Sequence, residues 1–137
     1  MDISIIKLLP DMGLFTLIWM VQLVTYPGFV SASEADMKRW HPIYTGRITI
    51  IVLPLMLAQL VLHGYGCYLQ VSCIKIISLV LIVGCWLATF LVSVPLHQKI
   101  DAASDSLETR KKLVKTNWMR TVAWTILLLL NLFYYGS

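Results

Sequence analysis

Apolar residues fall into four long stretches, over residues 8–30, 48–65, 74–96 and 118–135. Crossing the hydrocarbon of a bilayer takes roughly 20 apolar residues in a helix, with a range of about 17–25. Within each stretch, apolar residues cover every side of a helix instead of one stripe. The alternating segments of about ten residues that form membrane β-barrels are absent from the sequence. We therefore predict an all-α integral membrane protein, a single domain over residues 1–137 that forms a four-transmembrane-helix bundle.

The connection between the first two stretches contains a helix start. Ser33 has the character of an N-cap, and Asp36 follows three residues later as in a capping box. We expect a short interfacial helix over residues 34–40 that ends at His41–Pro42, because the residue before a proline avoids the helical conformation. The connection between the last two stretches, residues 102–115, is expected to extend the third or the fourth helix.

Lysine and arginine are distributed unevenly between the two sides of the predicted bundle. Nine lie in or beside the first and third connections, and two lie on the opposite side. Short loops rich in these residues stay in the cytoplasm. We therefore expect both charged connections in the cytoplasm and both termini on the non-cytoplasmic side of a bacterial inner (plasma) membrane. The nine residues are Lys38, Arg39, Arg47, Lys99, Arg110, Lys111, Lys112, Lys115 and Arg120, and the two are Lys7 and Lys75.

Composition agrees with a membrane location. Of the 137 residues, 58% are hydrophobic and 13% are charged, which leaves too little polar surface for a soluble domain of this size. The net charge of +4 is explained by the basic connections, so nucleic-acid binding is not expected. The first stretch lacks a basic n-region and a small-residue cleavage site, so we expect it to be retained as an anchor. The expected partners are membrane lipids and a hydrophobic small molecule, and homo-oligomerisation is left open.

The three cysteines form neither a Cys-x-x-Cys pair nor a zinc-binding pattern. Cys67 and Cys73 share the short connection between the second and third stretches, on the expected oxidising side. We predict that they lie close together and form a disulfide; the alternative is that Cys73 begins the third helix. Cys85 lies inside an apolar stretch and is expected to pack as a small apolar residue.

Polar and aromatic residues recur at helical spacing in every predicted span. Polar side chains are costly in lipid unless they face a partner, a ligand or water. If all four stripes face inward, they enclose one pocket at the cytoplasmic end of the bundle. The stripe residues are Gln22 and Tyr26; Tyr44, Arg47 (or, as an alternative, Ile48) and Gln59; Trp86, Thr89, Ser93 and His97; and Asn117, Arg120, Thr121 and Trp124.

A purely structural interpretation of these stripes stays open. The tryptophans can belong to an aromatic belt at the lipid headgroups, and the arginines can extend to lipid phosphates. Gln22, Gln59 and Asn117 can form hydrogen bonds that join helices. In that case the chain is a structural or accessory membrane subunit.

The candidate catalytic residues are His41, His97, Asn117 and Arg120. No acidic residue falls in the cytoplasmic half of a span, which excludes a di-iron carboxylate bundle and disfavours an iron site with a carboxylate ligand. No metal or cofactor is therefore predicted. The two histidines either act as acid and base around an organic substrate or ligate haem b axially, with Arg47 and Arg120 facing the propionates. His63 is expected on the far side and is excluded from the site. The predicted ligand-binding residues are Arg47, Gln22, Tyr26, Tyr44, Gln59, Trp86, Thr89 and Trp124.

Two short motifs resemble a family of small four-helix membrane proteins that includes the anthrone oxygenases of polyketide pathways. The motifs are Val94-Pro95-Leu96-His97 and, farther along the chain, Thr116-Asn117-Trp118-Met119-Arg120-Thr121 with Trp124. Trp40-His41 and Arg47 are similar to a polar cluster in the same family.

The resemblance implies four spans and, for the characterised members, oxidation of an electron-rich aromatic by O₂ without an obvious metal or flavin. It implies site roles for His41, His97, Asn117, Arg120 and Trp124. The sequence departs from this expectation at Gln59, where an ionisable group would suit the chemistry, and it offers no evident buried carboxylate base.

The sequence as a whole favours a membrane-embedded oxygenase or oxidoreductase that acts on a hydrophobic aromatic or quinone-like molecule. A histidine would abstract a phenolic or benzylic proton, and Arg120 with Asn117 would stabilise the anion that forms. Tryptophans would stack on the ring. The alternative is a haem- or lipophilic-ligand-binding membrane protein without catalysis.

Overall fold

The computed structural model describes residues 3–102 and 105–135, and this part of the chain forms helices and no strand. Four long helices follow one another, and two of them contain a π-helical segment. Helix α1 consists of Ile3–Met20, the π-helical Val21–Thr25 and Tyr26–Ser31; α2 is Glu34–Leu69; α3 consists of Cys73–Ala88, the π-helical Thr89–Ser93 and Val94–Asp101; α4 is Leu107–Tyr135. The predicted all-α fold class is confirmed. The terminal residues 1, 2, 136 and 137, whose side of the membrane was predicted, lie outside the described residues.

Each helix packs against the helices before and after it in the chain, and α4 returns to pack against α1. Neighbouring helices are antiparallel. In α1 and α2, for example, Asp11 contacts His63 near the end of α2, whereas Phe29 packs on His41 near its start. An up-down-up-down bundle of this kind places the α1–α2 and α3–α4 connections at the same end. We call this end, which contains residues 32–33 and the described residues 102, 105 and 106, the relay end.

Three of the four helices are long and apolar enough to cross a membrane: Ile5–Ser31, Glu34–Leu69 and Cys73–Asp101. α4 is not among them, because charged residues fill its first turns and Arg120 interrupts its apolar part. The outer surface of the bundle is nevertheless apolar on every side. Ile50, Leu91 and Phe133, which lie on three different helices, are 69–76% exposed.

The predicted helix start at Ser33 is confirmed, and the predicted end at Pro42 is wrong. Ser33 Oγ accepts a hydrogen bond from the N–H of Asp36 at 3.1 Å, as an N-cap does. The helix then continues through Pro42 to the end of α2, so residues 34–40 are its first turns and not a separate interfacial helix. Pro42 lies on the exposed side of α2, where the carbonyl that it frees can be solvated. The buried His41 on the other side holds the helix against the bundle.

The predicted extension into the α3–α4 connection is confirmed for α4, which begins at Leu107, whereas α3 ends at Asp101. Arg110, in the first turns of α4, donates hydrogen bonds to the carbonyl oxygens of Phe29 at 3.0 Å and Ala32 at 2.8 Å. It also pairs with Asp105, and this hydrogen bond raises the pKa of Arg110. Arg110 was predicted only to be one of the basic residues that set the orientation in the membrane. Its role in the fold is to join the start of α4 to the end of α1.

All three cysteines are free thiols, so the predicted disulfide is not formed. Cys67 lies in the last turn of α2, and Cys73 begins α3, which is the alternative that the sequence left open. Each residue is therefore held on its own helix. Cys85 is buried in the core, as predicted.

The π-helical segments of α1 and α3 occupy equivalent places in the two helices. In each helix, the second residue after the π-helical segment is a proline: Pro27, after Tyr26, in α1 and Pro95, after Val94, in α3. Proline has no N–H, so the carbonyl one turn earlier loses its α-helical partner, and a π turn accommodates the extra residue. π turns of this kind occur frequently at functional sites. Neither segment was predicted from the sequence.

Candidate functional site

A cavity of about 310 Å³ lies inside the bundle toward the relay end. Pockets that hold small molecules measure about 300–1,000 Å³, so this one lies at the small end of that range. α2 and α3 form most of its wall, and α1 and α4 close it at the back. The lining is largely apolar, and its polar members include Tyr26, Tyr44, Thr89, His97, Asp101 and Arg120.

Four side chains from three helices form a continuous hydrogen-bonded chain, which we call the relay. The Tyr26 hydroxyl lies 2.9 Å from Nε2 of His97. Nδ1 of His97 lies 2.8 Å from Nε2 of His41, and Nδ1 of His41 lies 2.6 Å from Oδ1 of Asp101. The His41 side chain is fully buried, whereas the Asp101 carboxyl is one-third exposed. The relay thus connects the cavity to the outer edge of the relay end.

An ionised Asp101 determines the direction of every hydrogen bond in the relay. A carboxylate only accepts, so His41 must donate from Nδ1 and accept at Nε2. His97 then donates from Nδ1 and accepts at Nε2, and Tyr26 donates its hydroxyl proton to that Nε2. This is the logic by which a buried carboxylate selects the tautomer of a catalytic histidine. The arrangement suits proton transfer between the cavity and Asp101.

Arg120 lies at the cavity end of the relay. Its Nη2 donates to the Tyr26 hydroxyl at 3.3 Å and to Oδ1 of Asn117, and its Nη1 donates to Oγ1 of Thr89 at 3.1 Å. The Arg120 side chain is buried. A guanidinium that donates to a phenol hydroxyl favours the phenolate. Arg120 therefore places a cationic donor on the oxygen that becomes negative when Tyr26 gives up its proton.

A second layer of hydrogen bonds holds Asn117 in place. Oε1 of Gln22 accepts from Nδ2 of Asn117 at 2.9 Å and from Oγ1 of Thr121 at 3.2 Å. Nε2 of Gln22 donates to the carbonyl oxygen of Val114 at 3.2 Å. Gln22 is thus a positioning residue that joins α1 to α4. It was predicted to bind the ligand, but it does not line the cavity.

The structure brings together the four predicted catalytic residues: His41, His97, Asn117 and Arg120. Tyr26, Tyr44, Thr89 and Trp124 line the cavity beside them. Asp101 was not among the predicted site residues, because it lies at the very end of α3, next to the predicted connection. The aspartate four residues after His97 was the available signal, since residues four apart share a helix face.

The structure places Arg47 and Trp86 away from the cavity, contrary to the prediction. Arg47 is exposed, with its guanidinium carbon 5.9 Å from the centre of the Trp40 ring. α2 is one unbroken helix, so Arg47 lies about 240° around its axis from His41, and Ile48 lines the cavity instead. Trp86 stacks on Phe90 with ring centres 5.5 Å apart.

A second buried polar cluster lies in the opposite half of the bundle, around His63, which was expected to lie outside the site. Nε2 of His63 lies 3.1 Å from both carboxyl oxygens of Asp11. Nε2 of Gln59 donates to Oδ1 of Asp11 at 2.7 Å, and Oε1 of Gln59 accepts from Nε1 of Trp124 at 3.1 Å. The buried Lys7 lies near this cluster, beside Gly66.

Two expectations are corrected by this second cluster. Asp11 is 1% exposed, so the bundle does contain a buried carboxylate. Gln59 belongs to the second cluster and not to the cavity lining, although Trp124 links the two regions. His63 does lie outside the cavity lining, as expected, and its partner there is Asp11.

The described residues contain no group of three or more His, Cys, Asp or Glu side chains placed to hold a metal ion. The haem alternative stays a prediction. Axial ligation by His41 and His97 would require their 2.8 Å hydrogen bond to open, because an iron atom bound to both would separate the two ligating nitrogens. A Soret band in the absorbance spectrum of the purified protein tests this alternative.

Comparison with known proteins finds no match for this chain among protein-family models, curated proteins or solved structures.

Proposed function

We propose that the chain is an integral protein of a bacterial inner membrane with four spans, including α4, and with the relay end in the cytoplasm. The apolar outer surface and the three long apolar helices support membrane insertion. Burial of Arg120 and Asn117 inside the bundle removes the main objection to α4 as a fourth span, because these polar groups would not face lipid. Concentration of lysine and arginine at the relay end supports the orientation.

Within that bundle, we propose a membrane-embedded oxidoreductase or oxygenase that acts on a hydrophobic aromatic or quinone-like molecule. The observation that supports this most strongly is the relay from Asp101 to Tyr26, which ends in a largely apolar cavity beside a buried arginine. A proton path that ends in an apolar cavity suits a substrate that is itself apolar and weakly acidic. The resemblance to the family that includes anthrone oxygenases adds to this proposal.

The chemistry begins with proton removal from the substrate. The Tyr26 proton moves to His97, the Nδ1 proton of His97 moves to His41, and the resulting imidazolium is stabilised by Asp101. The Tyr26 phenolate, held by Arg120, then takes a phenolic or benzylic proton from the substrate. The substrate anion is electron-rich and reacts with O₂. Oxidation of a benzylic methylene to a ketone takes up one O₂ and releases one water, so atoms and electrons balance.

The test uses protein reconstituted in lipid nanodiscs and a panel of anthrone- and hydroquinone-type compounds. O₂ uptake and product mass are measured for the parent and for Tyr26→Phe. Positioned acid–base groups contribute about 10²–10⁴-fold to rates, so we expect at least a hundredfold loss of turnover. Tyr68→Phe is the matched control, because Tyr68 is 84% exposed at the other end of α2.

The outcomes separate the candidate functions. A folded Tyr26→Phe variant that oxidises substrate at the parent rate would exclude the relay from the chemistry. Binding of these compounds without turnover by the parent would favour the non-catalytic ligand-binding protein. Absence of both binding and turnover, with no small molecule found by mass spectrometry in the purified protein, would favour a structural subunit.

A further inference from the structure

Arg120 is a buried cation with no matching anion in the described part of the chain. Its side chain is 6% exposed, and among the described residues no carboxylate forms an ion pair with it. The acceptors that it uses, on Tyr26, Asn117 and Thr89, are all neutral. Its Nε–H has no acceptor in the part of the chain that the structure describes. A buried charge with an unused donor is costly, and an anionic ligand oxygen in the cavity would relieve that cost.

The cavity opens sideways, between α2 and α3. Its exposed lining residues all belong to these two helices, and they run from Gln98 and Asp101 at the relay end to Thr49, Leu53 and Phe90. The lining residues from α1 and α4 are buried or half-buried. The opening is therefore a slot along the bundle surface, which we call the α2–α3 slot.

The inner end of the slot lies at the depth of the hydrocarbon. Phe90 lies eleven residues before Asp101, the last residue of α3. This separation is about 16 Å along a helix. The hydrocarbon of a bilayer is about 30 Å thick. If Asp101 lies at the interface, the slot reaches roughly the middle of the bilayer, where only an apolar group would pass through it.

From these observations we infer that the cavity binds a hydroxylated aromatic or quinone ring as its anion, and that this ring carries an aliphatic tail. The anionic oxygen lies against Arg120 and Tyr26. The tail leaves through the α2–α3 slot between Leu53 and Phe90 into the lipid. This inference rests on the proposed function and names its substrate class. A cavity of about 310 Å³ accommodates the ring but not the tail.

The first test compares three probes in nanodiscs: a 3-alkyl-2-hydroxy-1,4-naphthoquinone, its 2-methoxy ether, and the tailless parent 2-hydroxy-1,4-naphthoquinone. A hydrogen bond to a charged group changes affinity by about tenfold to a hundredfold. We expect the hydroxy compound to bind at least tenfold more tightly than its ether. Arg120→Gln should abolish this ratio, and Arg120→Lys should keep part of it. Arg39→Gln is the control for surface charge, because the Arg39 side chain is 81% exposed.

The ratio of the affinities for the hydroxy compound and its ether can also be measured in the parent protein, without any substitution. In the parent protein it should collapse when the pH falls below the pKa of the probe's own hydroxyl group, because the probe is then neutral. Equal affinity for the hydroxy compound and its ether in the parent protein, at a pH where the hydroxyl is ionised, would overturn the inference. This measurement does not depend on the folding of an Arg120 variant.

The second test concerns the tail. Thr49→Trp should fill the α2–α3 slot and lower the affinity for the tailed hydroxy compound about tenfold, while the tailless compound should change little. Val122→Trp is the matched control, since Val122 is 51% exposed on α4. A Thr49→Trp variant that binds both compounds as the parent does would show that the tail does not use the slot.

The inference and the proposed function fail separately. If the parent prefers the ionised, tailed probe but no compound of the class is oxidised, the catalytic proposal fails and the binding inference stands. If turnover depends on Tyr26 but hydroxy and ether probes bind equally, the catalytic proposal stands and the inference is overturned.

Discussion

At the scale of single residues, the bundle contains buried polar side chains that work in pairs and chains. His41 is fully buried and lies between His97 and Asp101, so both of its ring nitrogens have a partner. Asp11 is equally enclosed, with His63 and Gln59 as partners. In a low-dielectric interior, loss of one member leaves the others without a partner. The effect of a substitution therefore depends on which partner it isolates.

Asp101→Asn should disturb the relay without emptying the cavity. An amide can either donate or accept, so it no longer selects one tautomer of His41. We expect turnover to fall by about 10²–10⁴-fold, with little change in ligand affinity. ¹⁵N NMR of the histidine rings should show mixed tautomers at His41 and His97. Asp36→Asn, at an exposed position of the same end, is the control, and unchanged ring signals in the Asp101 variant would contradict the tautomer assignment.

His63→Ala should destabilise the protein, although His63 lies far from the relay. The substitution removes the ring N–H that faces Asp11, whose carboxyl is buried. A buried group that loses its partner costs about 1–3 kcal/mol, and thermal unfolding in detergent should show a loss of this size. Tyr65→Ala, two residues away and exposed, should have little effect. The double variant with Asp11→Asn should recover part of the loss, and additive effects would mean that the two residues do not act as a pair.

At the scale of elements, the two π-helical segments decide which side chains meet in the relay. They lie in α1 and α3, and in each helix a proline follows the segment at the second position. One extra residue per segment changes the rotational position of everything after it. Tyr26 and His97 lie just beyond the two segments, and their hydrogen bond joins α1 to α3 across the cavity.

Pro95→Ala should therefore weaken the relay through the backbone. Alanine supplies the missing N–H, and the segment can return to an α-helix, which turns His97 by about 100° relative to the preceding turns. We expect loss of the Tyr26–His97 hydrogen bond, seen in the NMR signal of the His97 ring, and a matching loss of turnover. Pro54→Ala is the control, because α2 stays α-helical around Pro54. An unchanged His97 signal in the Pro95 variant would show that the proline does not cause the π-helical segment.

At the scale of the whole molecule, the bundle is asymmetric from end to end. The relay end has the two charged connections, the relay and the edge of the cavity, whereas the opposite end has the Asp11 cluster and the short α2–α3 connection. This asymmetry predicts the orientation in the membrane, since short loops rich in lysine and arginine stay in the cytoplasm as a rule.

Reporter fusions test that orientation. A reporter inserted at Ser106, in the α3–α4 connection, should be active only as a cytoplasmic reporter, and one fused after Ser137 should be active only outside the cytoplasm. An insertion in the α2–α3 connection, at Gln70, should report the same side as Ser137. A C-terminal fusion that reports the cytoplasmic side would mean that α4 does not cross the membrane or that the bundle is inverted.

Local pattern was sufficient for the helices and for part of the site. Long apolar runs predict long helices because a helix satisfies its own backbone hydrogen bonds wherever it lies. Ser33 marks the start of α2 because its side chain accepts a hydrogen bond from Asp36, three residues away. Helical spacing likewise placed His97, Asn117 and Arg120 on inward faces. These are properties of residues close together in sequence, so the sequence alone determines them.

Tertiary structure decided the rest, because the deciding contacts join residues far apart in the chain. Pro42 looked like a helix end, yet packing of the buried His41 carries α2 past it. From the sequence, Arg47 and Ile48 were equally plausible as inward residues. Because α2 is one continuous helix with His41 on its buried side, Ile48 and not Arg47 faces the cavity. Asp11 and His63 looked isolated, because their partnership exists only once α1 and α2 lie antiparallel. Burial, which converts these polar residues from surface groups into partners, is a property of the assembled bundle and not of any one segment.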